Sequence, residues 1–482
     1  MLLLKKFNDG VIIINTGNNA SFRISLYKLF LPLLLLISGC TAHYPVNESI
    51  DAIDSTSGYR SQLTQNNTRS DTLFVGIAFS GGGTRAAAFS YGVLEALRDT
   101  TINWEGKERR LIDEVDTISS VSGGSFTAAY YGLFGDRIFE DYEEKFLKYD
   151  VEGHLKGVLW KPWTWFSLGS SFFGRSDYAA EYYDEILFEG KTFADMMSSN
   201  GPLIQINATE VSTGTQLTFL QGQFDLLCTD LLTYPVSRAV AASSAVPVLF
   251  SSITLDNNAG ECGYQRPLWL DAVLNSEDDI SRRRHLAEKY VQWLDRETYP
   301  YLHLYDGGLT DNLGVRPLIN RLTLAGDAWE LAKRTGKQDS KRLVLIIVNA
   351  QAESKTHFSR LASPVPLLDT IMGATSIPLN EYTFESLVTV KSTLAEFSKN
   401  FVESRCADRV NNGEDTVGCD EFESDLIIID LDNIKNKQNR ERLKQLPTSF
   451  VLNPDDVDAL RNAAKEIIDE SKTFQKFINE LN

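Results

Sequence analysis

The sequence of 482 residues has few of the side chains that hold metal ions: it contains five histidines and five cysteines. No two cysteines form a CxxC pair, and the histidines are scattered along the chain. Zinc sites in proteins draw on clusters of these two residues at short spacings. The sequence therefore predicts no structural metal, and no motif in it requires a cofactor.

Positive charge is also scarce. The chain has 47 lysines and arginines against 65 acidic residues, a formal net charge of −18 at pH 7. Four of the basic residues lie in the first 39 positions against one aspartate, so the rest of the chain carries −21. An acidic body is a poor partner for nucleic acid, and anionic lipid headgroups repel it. Any attachment to a membrane must then come from a source other than surface charge.

Long hydrophobic runs are missing as well. The apolar run at 29–37 is interrupted by Pro32 and is too short to span a bilayer comfortably. Arg23 and Lys28 precede it, an arrangement typical of a secretory signal peptide. We therefore interpret residues 1–39 as a signal peptide.

The apolar run ends in the stretch LISGC, whose last residue is Cys40. This ending resembles the bacterial lipobox, in which the cysteine is diacylated and becomes the new N-terminus after cleavage. The resemblance implies a bacterial membrane lipoprotein anchored by the acyl chains of Cys40. Thr41 implies sorting to the outer membrane. The alternative is a plain signal peptide, or a short membrane anchor, with an incidental cysteine.

Four further cysteines remain after Cys40. They are Cys228, Cys262, Cys406 and Cys419. An even number in an exported protein permits two disulfides, with three possible connectivities. Nearness in the sequence favours Cys228 with Cys262 and Cys406 with Cys419.

The organisation of the chain changes after an initial tether. Residues 40–70 are rich in Ser, Thr, Asn and Gln, as a lipidated tether would be. From about residue 71, short apolar runs alternate with helical patterns. The runs lie at 73–79, 115–121, 203–208, 217–220, 302–305 and 343–348. This alternation predicts an α/β layered fold with a largely parallel sheet.

Two segments interrupt the alternation, at about 136–200 and about 255–300, and we interpret both as insertions in a catalytic domain over 71–355. Aromatic residues are concentrated at 154–173. They predict either contact with lipid over an active site or buried packing. Beyond that domain, the sequence predicts a mainly helical extension over 356–482.

A glycine loop, Gly81, Gly82 and Gly83, lies between the first apolar run and a helical pattern. Such a loop places several backbone N–H groups around a small anion, and the helix dipole adds to the attraction. Three interpretations remain: an oxyanion hole, a phosphate cradle, or a turn that allows tight packing. The loop lacks the lysine of a Walker motif, and its spacing is not GxGxxG.

Ser122 lies at a second strand-to-helix junction, in the stretch SSVSGGS. A serine at such a sharp turn with small neighbours is typical of a nucleophile elbow. Gly123 and Gly124 follow it, and Gly124 fits the GxSxG pattern. Ser120 replaces the first glycine of that pattern. A serine-glycine turn with a purely structural role is the alternative.

Asp306 follows another apolar run, in the stretch YDGGLTDNLG. An aspartate at the carboxyl end of a strand in an open α/β sheet points into the crevice where ligands bind. Gly307 and Gly308 complete its DGG motif. The alternative for Asp306 is a turn or a helix cap.

Four motifs occur in the order seen in patatin-like phospholipases. They are the GGGTR loop, the SxSGGS elbow, the ASSAVP segment at 242–247 and the DGG motif with its DNLG tail. The resemblance covers roughly residues 71–350, and SGGGTRA is also similar to the cytosolic phospholipase A group. It implies a three-layer αβα sandwich with a mostly parallel central sheet. It also implies a lipid acyl hydrolase of the phospholipase A or lysophospholipase type, acting on membrane phospholipids.

The resemblance also implies roles for single residues. Ser122 attacks the ester, and Asp306 is its only side-chain partner. The amides of the glycine loop stabilise the oxyanion. Arg85 matches a basic residue that orients that loop or meets a headgroup phosphate.

Other mechanisms and functions remain open. A triad in the chain order serine, aspartate, histidine would need His357, the one histidine after Asp306, which lies in a polar stretch without a strand end. His303 alternates along the same run as Asp306, and we interpret it as a core or supporting residue. Two alternative functions remain. One is an inactive or weakly active surface interaction protein on this scaffold, which the departure at Ser120 would permit, and the other is an acyltransferase.

Overall fold

The computed structural model describes residues 11–16, 20–25, 47–63, 68–159, 173–247, 249–277, 280–352 and 362–482. The predictions for Cys40, for His357 and for most of the aromatic segment concern residues outside these ranges. The chain divides into two compact units, residues 1–45 with 157–174 and residues 46–156 with 175–482. In the first unit, β1 (Val11–Thr16) and β2 (Ala20–Ser25) pair antiparallel.

The second unit contains a large central sheet and a small β4–β5 pair. The strands are β3 (Leu73–Phe79), β4 (Thr101–Trp104), β5 (Lys107–Arg110), β6 (Val115–Val121), β7 (Leu203–Glu210), β8 (Thr215–Thr218), β9 (Ile253–Asp256), β10 (Tyr301–Asp306), β11 (Arg342–Asn349) and β12 (Glu423–Asp430).

The helices of the described ranges are mostly short, apart from one of 46 residues in the C-terminal region. They are α1 (Gly83–Asp99), α2 (Gly123–Phe134), α3 (Ile138–Tyr142), α4 (Val151–Leu159), α5 (Arg175–Tyr183), α6 (Phe193–Ser198), α7 (Gln221–Phe224), α8 (Val236–Ser243), α9 (Leu268–Leu274), α10 (Arg282–Trp293), α11 (Arg316–Ala325), α12 (Ala328–Arg334), α13 (Leu367–Asn412), α14 (Lys437–Lys444), α15 (Pro454–Glu470) and α16 (Lys472–Leu481).

The central sheet has the strand order β12-β11-β3-β6-β7-β10-β9, and β8 pairs with β7. Its five strands from β12 to β7 are parallel, whereas β10, β9 and β8 are antiparallel to their neighbours. Each of the six apolar runs overlaps one of these strands. The prediction of an α/β fold with a mostly parallel sheet is confirmed.

Helices cover both faces of this sheet. Along β11, Ile346 belongs to a hydrophobic cluster that includes α1 and α15. Its neighbours Leu345 and Ile347 belong to a second cluster that includes α11 and α13. Successive residues of a strand point to opposite faces, so the two clusters are the two sides of a three-layer sandwich.

The position of Asp306 depends on a strand direction that the sequence did not indicate. As expected, Asp306 lies at the carboxyl end of a strand in an open, mostly parallel α/β sheet, but β10 itself is antiparallel to β7. The last residue of β6, Val121, pairs with Asn207 of β7. β7 then continues for three residues, 208–210, which pair with β10. β10 therefore runs back toward the parallel strands and places Asp306 opposite Ala208, beside the end of β6.

The C-terminal region is more than the helical extension that we predicted. β12 adds a parallel edge strand next to β11. α15 packs along α1, where Arg461 forms ion pairs with Glu95 and Glu143. The segment predicted as a second insertion likewise overlaps β9, which extends the sheet beyond β10. β9 and β12 are partly exposed, and each carries polar residues beside its apolar ones.

Two disulfides join Cys228 to Cys262 and Cys406 to Cys419. These are the pairs that nearness in the sequence favours. Among the helices of the described ranges, none combines the length and the apolar character needed to cross a bilayer.

The packing of α15 on α1 depends on Gly92. A Cβ atom added there would lie 2.6 Å from the carbonyl oxygen and 2.7 Å from the Cα atom of Arg461. Backbone atoms of a helix cannot move aside like the end of a flexible side chain. Any side chain at this position would therefore push the two helices apart.

We expect Gly92→Ala to lower the free energy of unfolding by about 1–3 kcal/mol, because overpacking outweighs the helix propensity of alanine. Urea denaturation measures this change. Gly222→Ala is the matched control, since nothing lies within 4 Å of its added Cβ. An unchanged midpoint for Gly92→Ala would show that the two helices are not in close contact.

Candidate active site

Ser122 occupies a sharp turn between β6 and α2. Its backbone has φ 50° and ψ −120°, a conformation that residues with a side chain rarely adopt. A Cβ atom on Gly123 would lie 2.0 Å from the Gly83 carbonyl oxygen, and one on Gly124 would lie 2.7 Å from the Ser80 carbonyl oxygen. The turn has the geometry of a nucleophile elbow, and its glycines permit the close approach of the neighbouring loop.

Ser120, which replaces a glycine of the GxSxG pattern, fits this turn. Its side chain is fully buried. The Ser120 hydroxyl donates to the Gln205 carbonyl at 3.4 Å and accepts a hydrogen bond from the Ser125 hydroxyl at 3.1 Å. The departure from the pattern therefore leaves no polar group without a partner.

Ser122 and Asp306 are in direct hydrogen-bonding contact. The Ser122 hydroxyl donates to Oδ2 of Asp306 at 2.8 Å, and Oδ1 of Asp306 accepts the Gly308 N–H at 2.8 Å. The Asp306 backbone N–H donates to the Ala245 carbonyl at 3.0 Å. Both oxygens of the carboxylate thus have a donor, and one of these donors is the candidate nucleophile.

The surroundings of Asp306 make it a stronger base than an exposed aspartate. Burial raises the pKa of Asp306 to about 6, although the hydrogen bonds from Gly308 and Ser122 act in the opposite direction. A carboxyl with a pKa near 6 is mostly ionised at neutral pH and still accepts a proton readily. This is the balance that a general base requires.

The glycine loop lies directly against the elbow. Gly82 and Gly83 have φ values of 143° and 61°, which favour glycine. A Cβ atom on Gly81 would come within 3.3 Å of the Ser122 Cβ. The Gly82 and Gly83 N–H groups have no acceptor within the described ranges, so both remain available as donors beside the nucleophile.

Gly81 differs from the other two glycines of the loop. Its N–H group donates to the Asn312 carbonyl at 2.9 Å. A backbone N–H engaged in this way is not free to stabilise an oxyanion. The Gly81 amide therefore does not fit our prediction that all three amides form the oxyanion hole. Gly82 and Gly83 remain the candidates, and Gly81 holds the loop to the DNLG segment.

Arg85 is buried under the C-terminal region, with 2% of its surface exposed. Its guanidinium donates to the carbonyls of Ala350 at 2.8 Å and Leu446 at 2.5 Å, and to the Thr448 hydroxyl at 3.2 Å. Burial lowers its pKa to about 10, so it stays cationic at neutral pH. Arg85 has the position of a loop-orienting residue, and a headgroup phosphate has no access to it.

A buried polar network supports the elbow, and the sequence did not reveal it. The Ser122 N–H donates to the Ser243 hydroxyl at 3.0 Å, and this hydroxyl donates to the Asn207 carbonyl at 2.6 Å. Ser243 also lies 3.0 Å from the Ser125 hydroxyl. The available signal was the ASSAVP segment, which matched the family without indicating which of its serines touches the site.

The histidines of the described ranges do not contact Ser122 or Asp306. The closest candidate in the sequence, His303 on β10, lies 3.1 Å from the Thr254 hydroxyl on β9. It therefore supports the pairing of two strands. The alternative triad through His357 concerns a residue outside the described ranges.

The fold and this site define a class of protein: an α/β protein with a serine and an aspartate in contact at a nucleophile elbow. A family model described as patatin-like phospholipase matches residues 77–319, half of the chain. The chain belongs to the patatin-like phospholipase family. A search of curated proteins finds no match.

Two solved structures show a distant similarity. Human GIVD cytosolic phospholipase A2 shares 13% identity with a TM-score of 0.33, over 62% of this chain and 50% of that one. VipD from Legionella pneumophila shares 12% identity with a TM-score of 0.29, over 89% of this chain and 72% of that one. The chain thus spans half the length of the human protein that it matches.

We expect the kcat/KM for a neutral soluble ester such as p-nitrophenyl butyrate to rise with pH, to reach half its plateau near pH 6 and to level off above about pH 7. Asp306 must be ionised to accept the serine proton, and its pKa is about 6. Activity at pH 5 should therefore be about tenfold below the plateau. The test is a pH–rate profile, and activity that stays constant down to pH 5 would contradict a base with a pKa near 6.

Proposed function

We propose that this protein is a lipid acyl hydrolase of the phospholipase A or lysophospholipase type, which cleaves carboxylic esters of membrane phospholipids. The observation that carries the proposal is the 2.8 Å hydrogen bond from the Ser122 hydroxyl to Asp306 at the elbow. A serine hydroxyl is a weak nucleophile until a base accepts its proton. Asp306 supplies that base without a histidine.

In the proposed reaction, Ser122 Oγ attacks the ester carbonyl carbon while its proton passes to Oδ2 of Asp306. The carbonyl oxygen becomes an oxyanion, which accepts hydrogen bonds from the Gly82 and Gly83 amides. One such donor contributes about 3 kcal/mol to transition-state stabilisation. The C–O bond to the alcohol then breaks, and Asp306 returns the proton to the leaving lysophospholipid.

The acyl group now esterifies Ser122, and a water molecule completes the cycle. Asp306 accepts a proton from this water, whose oxygen attacks the acyl carbon. The bond to Ser122 breaks, the serine regains a proton from Asp306, and a fatty acid leaves. An acceptor alcohol in place of water would give acyl transfer, which product analysis distinguishes.

An exposed apolar stripe beside the site supports a lipid substrate. Leu379 of α13 would lie 3.7 Å from a Cβ atom on Gly308, so this helix contacts the DGG motif. On its outer face, Ile377, Phe384 and Val388 are 51–63% exposed. Spacings of seven and four residues place these three side chains on one line of the helix, which also carries the exposed Glu381. Exposed apolar groups next to a site mark a surface that meets a partner or a membrane.

We also propose that the chain is exported and attached to the outer membrane through acylated Cys40. The acidic body needs such an anchor to remain near anionic lipid. The two disulfides support export, because disulfides persist mainly in oxidising compartments.

Ser122→Ala and Asp306→Asn should each lower hydrolysis of phospholipid by about a thousandfold or more, since each removes a group that acts in the same step. Mass spectrometry of the products from mixed phospholipid vesicles measures the loss. A fluorophosphonate probe should label the native protein and not Ser122→Ala, whereas an inactive interaction protein would not be labelled.

His303→Ala and His357→Ala are the controls for this prediction. Both should keep ester hydrolysis within a few-fold of the native value, because neither side chain takes part in the proposed proton transfer. Loss of activity in His357→Ala, with the fold intact by circular dichroism, would favour the triad over the dyad.

The apolar stripe leads to a separate prediction. The double variant Ile377→Asp and Phe384→Asp should lower turnover of phospholipid vesicles and vesicle binding at least tenfold, while kcat/KM for the soluble ester changes less than twofold. Charged groups do not enter the apolar part of a membrane surface.

Val410→Asp is the matched control, because Val410 is 64% exposed on the same helix. It lies 26 residues beyond Phe384, about 39 Å along the helix axis. This variant should bind vesicles normally. Equal losses in both variants would show that the effect comes from added negative charge rather than from the stripe.

A further inference from the structure

A second cavity lies at the amino ends of the central strands, whereas Ser122 lies at their carboxyl ends. This distal cavity has a volume of about 200 Å³, far more than one water molecule needs. Early residues of the strands line it, among them Phe74, Thr117 and Leu343, together with α11, α12 and α13. Thr117 precedes Ser122 by five residues on β6, which separates the two sites by about 17 Å.

The helical side of the distal cavity is apolar. Six of its lining residues are Leu318, Leu322, Leu331, Leu394, Phe397 and Phe401. These side chains come from three helices and contain no polar atoms. Such a wall favours a hydrocarbon chain over a polar ligand, because a polar group buried there would lose its hydrogen bonds to water.

Arg321 of α11 also lines the distal cavity, and it has no acidic partner within the described ranges. Its guanidinium donates to the Ser61 hydroxyl at 2.8 Å. Burial lowers the pKa of Arg321, and no neighbouring charge offsets that effect. Arg321 is partly buried, and a partly buried cation without a counterion loses hydration that no opposite charge replaces, so a ligand that supplies an anion would be favoured here.

The other two cations at the cavity differ from Arg321 in this respect. Lys337 forms an ion pair with Asp116 at 2.8 Å. Arg69 also interacts with the charge of Asp116. Asp71 also lines the cavity, but Arg321 is the one of these three cations without an acidic partner in the described ranges.

We propose that the distal cavity binds a fatty acid, with the carboxylate paired to Arg321 and the chain along the leucine and phenylalanine wall. A planar guanidinium matches a carboxylate through two parallel N–H···O bonds. A cation without an acidic partner beside an apolar wall selects a ligand with one anionic head and a hydrocarbon chain. The hydrolysis proposed above releases such a molecule, but this binding site does not depend on that reaction.

Isothermal titration calorimetry on the full chain carrying Ser122→Ala tests this proposal without any turnover. Decanoate should bind about tenfold more tightly than decanol, because only the carboxylate pairs with Arg321. Adding Arg321→Met should weaken decanoate about tenfold and change decanol less than twofold. It should also raise the unfolding temperature without ligand, since a partly buried charge with no acidic partner is removed.

Lys333→Met, which removes an exposed cation from α12, is the matched control and should leave decanoate affinity unchanged. Decanoate and decanol of equal affinity for the Ser122→Ala chain would overturn the proposal even if Arg321→Met failed to fold. Decanoate affinity that survives Arg321→Met would overturn it as well. Failure of the proposed hydrolysis would appear separately, as unchanged activity in the Ser122→Ala chain.

Discussion

The site depends on a close approach between backbone turns that only glycine permits. A Cβ atom on Gly123 would lie 2.0 Å from the carbonyl oxygen of Gly83, and one on Gly83 would lie 2.4 Å from the carbonyl oxygen of Ser449. The nucleophile turn, the glycine loop and a C-terminal segment are thus stacked with no side chain between them. This contact brings two backbone amides that have no acceptor among the described residues to the serine, and a methyl group at either glycine would separate the layers.

The C-terminal region belongs to the architecture of the active site, although the family match ends at residue 319. Ser449 accepts a hydrogen bond from the Thr84 N–H at 2.9 Å, at the first turn of the helix that follows the glycine loop. Arg85 binds the same C-terminal segment through Leu446 and Thr448. β12 and α15 then hold this segment against the sheet. The conformation of the loop is therefore set by residues more than 360 positions away in the sequence.

Neutral donors rather than cations surround the candidate base. Burial and two hydrogen bonds account for the pKa of Asp306, and no positive group contributes to it. A nearby arginine or lysine would lower that pKa and weaken the carboxylate as a proton acceptor. Arg85 is close in sequence to the glycine loop but directs its charge toward backbone carbonyls, away from the dyad. In the proposed mechanism, this arrangement keeps Asp306 basic enough to activate Ser122 directly.

The sequence alone determined the elements that depend on neighbouring residues. Continuous apolar runs marked the buried strands, glycine-rich junctions marked the two turns, and the order of the motifs identified the family. The tertiary structure decided the direction of β10, the engagement of the Gly81 amide by Asn312, and the burial of Arg85 under the C-terminal region. Each of these rests on contacts between residues far apart in the chain. Local hydrophobic pattern and turn chemistry carry no information about such contacts.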